Sequence, residues 1–233
     1  MEKIFHILGI NQQRTSHTEK LVSLLGGFLG IYAIFLVTNR FVGVAEAVYI
    51  IPSMGASAVL LFAAPHVPFS QPWNVFGGHL LSAVIGVFCF QFIPDIHIAA
   101  AASVGVSIGV MYYARCIHPP GGATALAAVI GSSQIHDLSY MYVITPVLIN
   151  TLTMLFIAVA FNAVFPWRRY PANWVVRKPP QDSVIGSKKS VYSPIKHEDF
   201  VYALTQIDSI VDISEEDLQE IYAIATGREE LIK

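Results

Sequence analysis

Residues 115–126 read Arg-Cys-Ile-His-Pro-Pro-Gly-Gly-Ala-Thr-Ala-Leu, between long apolar stretches with almost no charge around them. Two successive prolines cannot continue a helix: each lacks an N–H, and each pushes the residue before it out of helical geometry. Pro120 suits the first position of a new helix, where its missing donor costs nothing. The amides of Gly121, Gly122 and Ala123 are then expected to lack intrahelical partners, at the positive end of a helix dipole and beside His118. A broken helix whose amino end lies at membrane depth is a known way to hold an anion. The same run also suits a tight turn that lets helices pack closely.

Working outward, charged residues make up 13% of the chain and hydrophobic ones 54%, about half the charge of a soluble domain. From residue 41 to residue 166 the formal charges are Glu46, Asp95, Arg115 and Asp137. Such a stretch belongs in a lipid bilayer, and the chain reads as an all-α integral membrane protein. Basic residues cluster after it, at Arg168, Arg169, Arg177, Lys178, Lys188, Lys189 and Lys196, while the tail from Glu198 to Glu230 is acidic. Basic residues that hug the membrane end set topology and give no nucleic-acid footprint. Cys89 and Cys116 sit in apolar context and read as small buried side chains. The first twenty residues lack the order of a cleaved signal, so the chain is expected to keep its own start.

Six apolar segments can be drawn: 21–39, 44–64 (interrupted by Pro52), 75–93, 98–113, the short 120–130, and 142–165. Pro52-x-x-Gly55-Ala56-Ser57-Ala58 and Pro119-x-x-Gly122-Ala123-Thr124-Ala125 share order and spacing. The same offset lays the third segment on the sixth and, loosely, the first on the fourth. The expectation is two three-segment repeats, each with a short Pro-Gly helix that is broken or re-entrant. Lys3, Arg14 and Lys20 before the first span, and the cluster after the last, put both termini in the cytoplasm of a plasma (inner) membrane and require an even number of crossings. Six crossings place Arg115 inside and four place it outside; the positive-inside bias favours six. The resulting map is a cytoplasmic segment 1–20, a membrane domain 21–167, a basic linker 168–196 and a small helical cytoplasmic tail 197–233. A chain with so few spans is also a candidate homo-oligomer.

The run His118-Pro119-Pro120-Gly121-Gly122-Ala123-Thr124-Ala125-Leu126, with the earlier Gly55-Ala56-Ser57-Ala58-Val59-Leu60-Leu61-Phe62, resembles the HPP family of small integral membrane proteins, named for the His-Pro-Pro triplet. The resemblance covers residues 16–167. It implies four membrane helices and a transport role, with plant and cyanobacterial members linked to nitrite movement across plastid or cell membranes. Four helices differ from the six segments, and the two Pro-Gly elements account for the difference.

A small monovalent anion, nitrite first, is therefore the expected substrate. Its expected site is the backbone of Gly55, Ala56, Gly121, Gly122 and Ala123, with donors from Ser57 and Thr124 and an imidazole from His118. His118, with an ordinary pKa near 6.5, switches charge or carries a proton, or else caps the preceding helix. Arg115 either lines a cavity or snorkels to the interface. Asn150 is a pathway candidate or a link between helices, and Glu46 a proton carrier or an interfacial partner of Arg40. His79, near the start of its segment, reads as interfacial. The histidines form no metal-ligand spacing, no cofactor is implied, and no hydrolase or P-loop motif is present, so no catalytic residue is assigned. The competing reading is a non-transporting scaffold whose tail binds a partner protein.

Overall fold

The computed structural model describes residues 15–41, 43–168 and 170–172, the side chains of 43–49 excepted. The tail, most of the basic linker and the side chain of Glu46 lie outside the described residues. Seven helices follow one another: α1 His17–Phe41, α2 Gly43–Ala63, α3 Pro72–Phe92, α4 Ile96–Tyr113, α5 Pro119–Ile130, α6 Ser133–Leu138 and α7 Ile149–Ala163. Four spans are long and apolar enough to cross a membrane: 17–41, 72–92, 96–113 and 143–163. The protein is an all-helical integral membrane protein with α5 as a short helix held inside the bundle. At ~1.5 Å per residue, α5 is about half a membrane long.

Local chemistry sets each boundary. Pro72 opens α3 at its first turn, and Gln71 before it donates to the carbonyls of Pro65 and Val67. Asp95 caps α4, its carboxylate accepting from the amides of His97 and Ile98 at 2.9 and 3.0 Å. Losing that cap through Asp95→Ala should cost about 1 kcal/mol and lower the melting temperature in detergent by a few degrees. An unchanged melt would mean that the cap carries no stability. At the other end of α4, the Cys116 amide donates to Met111 and the Arg115 amide to Tyr112, with Arg115 at φ 54°. That is a Schellman ending with arginine where glycine is usual.

Three sequence expectations change here. α2 is helical on both sides of Pro52 rather than broken by it, with Pro52 on an exposed face. The last segment is not uniform: Val143–Leu148 forms a wide π-type turn around Pro146, with Thr145 extended at φ −130°, ψ 111°. A proline that lacks an N–H and crowds the carbonyl four residues back explains the interruption. Arg168 does not begin a solvated linker, since it is fully buried and paired with Glu19 near the start of α1.

Arg168 engages all three guanidinium nitrogens. It reaches Glu19 through Nε and Nη2, the Asn162 side-chain oxygen through Nη1 at 2.9 Å, and Ser23 and the Phe62 carbonyl through Nη2. The Trp167 indole also donates to Glu19 at 2.8 Å. One compact unit accordingly runs Thr18–Val175, beyond the expected end of the membrane domain.

Ile34, Met54, Leu61, Phe62, Met154 and Ala158 bring α1, α2 and α7 together in one core cluster. α5 lies against α3, α4 and α2. The outward faces carry Leu24, Phe28, Tyr32, Phe88, Tyr113 and Phe156, all exposed, as a lipid-facing surface requires.

Candidate functional site

The start of α3 places His118. The Trp73 indole donates to the Ala114 carbonyl at 3.1 Å and the Asn74 amide to the Ile117 carbonyl at 2.9 Å, clamping the α4–α5 connection. Glycines then let that connection lie on α3. A Cβ on Gly77 would stand 2.9 Å from Cys116 Cβ, and one on Gly78 would overlap His118 Cβ. A Cβ on Gly121 would stand 2.6 Å from the Gly78 carbonyl oxygen. Pressed there, His118 takes an extended backbone (φ −141°, ψ 101°) as the residue before Pro119, and its ring is fully buried.

Four buried polar side chains meet at this point. Ser57 Oγ lies 2.8 Å from His79 Nε2 and 2.9 Å from His118 Nε2. His79 Nδ1 lies 2.7 Å from Thr124 Oγ1, and His118 Nδ1 lies 2.8 Å from the Phe69 carbonyl oxygen. The two rings stand edge to face with centroids 4.9 Å apart. Ser57, His79 and His118 are wholly inaccessible and Thr124 is 1% exposed.

The hydrogens can be assigned by donor and acceptor capacity. A carbonyl only accepts, so His118 Nδ1 carries a hydrogen. With both rings neutral, His118 Nε2 accepts from the Ser57 hydroxyl, whose oxygen in turn accepts from His79 Nε2–H. His79 Nδ1 then accepts from the Thr124 hydroxyl. The result is one continuous chain, Thr124 to His79 to Ser57 to His118 to Phe69, with every member satisfied. Ser57 and Thr124 each have a second acceptor in reach, the Ser53 carbonyl at 3.1 Å and the Pro120 carbonyl at 3.5 Å. Tyr142 donates to the Thr124 backbone carbonyl at 3.1 Å and fixes that turn of α5.

The expected site residues separate into two groups. Ser57, Thr124 and His118 come together. Gly121 touches the same place, but its amide donates to the His118 carbonyl at 2.8 Å and is no free donor. This follows because α5 begins at Pro119, one residue earlier than expected. Gly55 and Gly122 are half-buried, and Ala56 and Ala123 are exposed on the outer sides of α2 and α5. The two motifs thus share a burial register, with Ser57 and Thr124 turned inward together, although α2 is 21 residues long and α5 is 12.

Arg115 is exposed at the end of α4. Asn150 is spent on a reciprocal pair with Thr38 of α1, at 2.8 and 3.1 Å, so it links helices. His79 is the residue that the sequence reading misplaces: it is buried at the centre of the chain rather than interfacial. The signal available was Gly77-Gly78 beside it, two missing side chains that allow another backbone to come close.

Residues 12–171 match the family described as HPP, transmembrane region. The chain belongs to the HPP transmembrane family. Two transmembrane proteins of Dictyostelium discoideum are similar to this HPP protein. One is 36% identical over 156 residues, covering 65% of this chain and 50% of its own length. The other is 36% identical over 154 residues, covering 64% and 54%. The chain therefore spans about half the length of the curated relatives it matches. No solved structure matches it. The HPP match takes in all seven helices, the buried polar chain and the Arg168 tie.

Proposed function

We propose that this HPP protein carries a small monovalent anion across a membrane, nitrite being the one that the family resemblance nominates, and that Ser57, His79, His118 and Thr124 form its binding point. The observation that supports this most is two imidazoles and two hydroxyls, all buried and hydrogen-bonded to one another where α2, α3 and the start of α5 meet. A fixed buried ammonium or carboxylate would carry a desolvation cost of several kcal/mol. Neutral N–H and O–H groups can instead greet a weakly basic anion and release it. In the described conformation these groups bond one another, so an anion enters by replacing the Ser57 contacts.

Hydrolysis fits the site less well. Ser57 stands between two imidazoles, yet it is sealed from any cleft, and the groups behind the rings are a threonine hydroxyl and a carbonyl rather than a carboxylate. The reading is accordingly a transporter and not an enzyme. We place it in the plasma (inner) membrane with both termini cytoplasmic, on the basic residues that flank the membrane domain.

Purified protein in liposomes is expected to take up nitrite faster than protein-free vesicles. His118→Gln should slow uptake about tenfold, the equivalent of about one lost buried hydrogen bond to substrate. Leu at Gly55 should leave the rate within about twofold, because nothing stands within 4 Å of a Cβ there and overpacking is absent. Wild-type uptake at the vesicle background would sink the transport reading and leave the scaffold reading in place.

A further inference from the structure

We infer that the chain Thr124–His79–Ser57–His118 takes up one proton as a unit and supplies the counter-charge for the passing anion, so that anion and proton move together. The inference rests on the transport reading and deepens it by naming the coupling ion and the residues that hold it.

The geometry carries the argument. Each junction of the chain is a hydrogen bond of 2.7 to 2.9 Å between a group that can give a hydrogen and one that can take it. One proton, delivered from hydronium at the Thr124 end, leaves water behind and bonds to Thr124 Oγ1. The original Thr124 hydrogen passes to His79 Nδ1, the His79 Nε2 hydrogen passes to Ser57 Oγ, and the Ser57 hydrogen passes to His118 Nε2. At each step one O–H or N–H bond breaks as the next forms. His118 ends with hydrogens on both nitrogens, and the net gain is one proton and one positive charge.

Every bond of the chain survives the shift with its direction reversed. His118 Nε2–H donates to Ser57, Ser57 donates to His79 Nε2, and His79 Nδ1–H donates to Thr124. The hydrogen newly bound to Thr124 Oγ1 turns to the Pro120 carbonyl, 3.5 Å away. His118 Nδ1–H keeps the Phe69 carbonyl throughout. A lone buried histidine would lose or orphan a partner on gaining a proton. This arrangement orphans none, which is what a reversible buried proton store needs.

The surroundings add no competing charge. α5 carries Thr124 itself; Cys116, in the α4–α5 connection, stands against Gly77, and Tyr142 reaches the Thr124 carbonyl. α2 offers Ser53, and α3 and α4 offer Ser82 and Met111. Among the described residues no Asp, Glu, Lys or Arg side chain hydrogen-bonds to any of the four. The imidazolium formed at His118 is then the local positive charge that a monovalent anion meets.

Proteoliposomes holding a pH-sensitive dye, given an inward nitrite gradient under imposed membrane potentials, test this. Wild-type protein is expected to acidify the lumen with about one proton per nitrite above the protein-free rate, and its nitrite uptake should be insensitive to potential. Thr124→Val removes the entry hydroxyl at nearly constant shape, and the proton-to-nitrite ratio should fall at least about tenfold. Thr124→Ser, which restores the hydroxyl, should bring the ratio back. Elution profile and melting temperature of each variant show that it is folded.

Wild-type nitrite uptake that follows the membrane potential with no lumen acidification would overturn the relay while leaving anion transport standing. A folded Thr124→Val protein with the wild-type ratio would also overturn it. No protein-dependent nitrite uptake at all would overturn the transport reading and the relay with it.

Discussion

Arg168→Met is expected to cost about 3–5 kcal/mol, because it takes the guanidinium counter-charge away from the buried Glu19 carboxylate. In detergent the melting temperature should drop by roughly 10 °C, and much of the protein should elute as aggregate. The loss reaches beyond one ion pair, since the same guanidinium holds Asn162, Ser23 and the Phe62 carbonyl. Arg168→Met combined with Glu19→Leu removes both charges together and should recover a substantial part of the loss. A single variant that melts like wild type would show that Arg168 is solvated rather than buried as described.

Gly121→Ala and Gly86→Ala should each cost at least about 1–3 kcal/mol by overpacking. A Cβ on Gly86 would stand 2.5 Å from the Ala125 carbonyl oxygen, and one on Gly121 would stand 2.6 Å from that of Gly78. Both obstacles are backbone, so no rotamer change relieves them. Gly105→Ala and Gly109→Ala face open space on α4 and should be neutral or gain up to about 1 kcal/mol from helix propensity. Differential scanning fluorimetry across the four variants checks the contrast. Equal melts would mean that α3 and α5 do not touch through these glycines.

Much of this fold is written in the chain's local chemistry. The interval with only four formal charges announces the membrane, and Pro119-Pro120 announces a new helix beside His118. The Pro-x-x-Gly-Ala repeat, in turn, brings Ser57 and Thr124 into one register. What the sequence hides is rotation and distance. Nothing local says which way His79 points, because an uncharged helix has no polar face to orient it; only the neighbouring glycines hint at a close approach. Arg168 looks like one more basic residue at a membrane boundary, since its partner Glu19 is 149 positions away. Pro146 was legible as a break by the same rule that marked Pro119, but a long apolar run around it reads as a continuous span. The Gly121 amide is spent for a simpler reason: starting α5 one residue earlier gives that donor an acceptor.

The glycine contacts have a mechanical meaning. Where α5 meets α3, backbone rests on backbone at Gly86 against the Ala125 carbonyl and at Gly121 against the Gly78 carbonyl, contacts that no side-chain rotation can loosen. α1, α2 and α7 form another solid group, with Gly26 and Gly30 seated on Phe62, Asn150 bonded to Thr38, and Asn162 bonded to the Leu61 carbonyl. Ser57 is the hydroxyl by which α2 grips the two rings, at about 1 kcal/mol per hydrogen bond. Ser57 is thus a polar tie between the two groups, set beside the apolar cluster of Ile50, Ala83, Val87 and Ala128 that also packs them together, and it is built from the same atoms as the proposed proton store. Loading the proposed store would reverse both bonds that Ser57 makes to the rings, so the proposed chemistry and this tie between helices share one set of bonds.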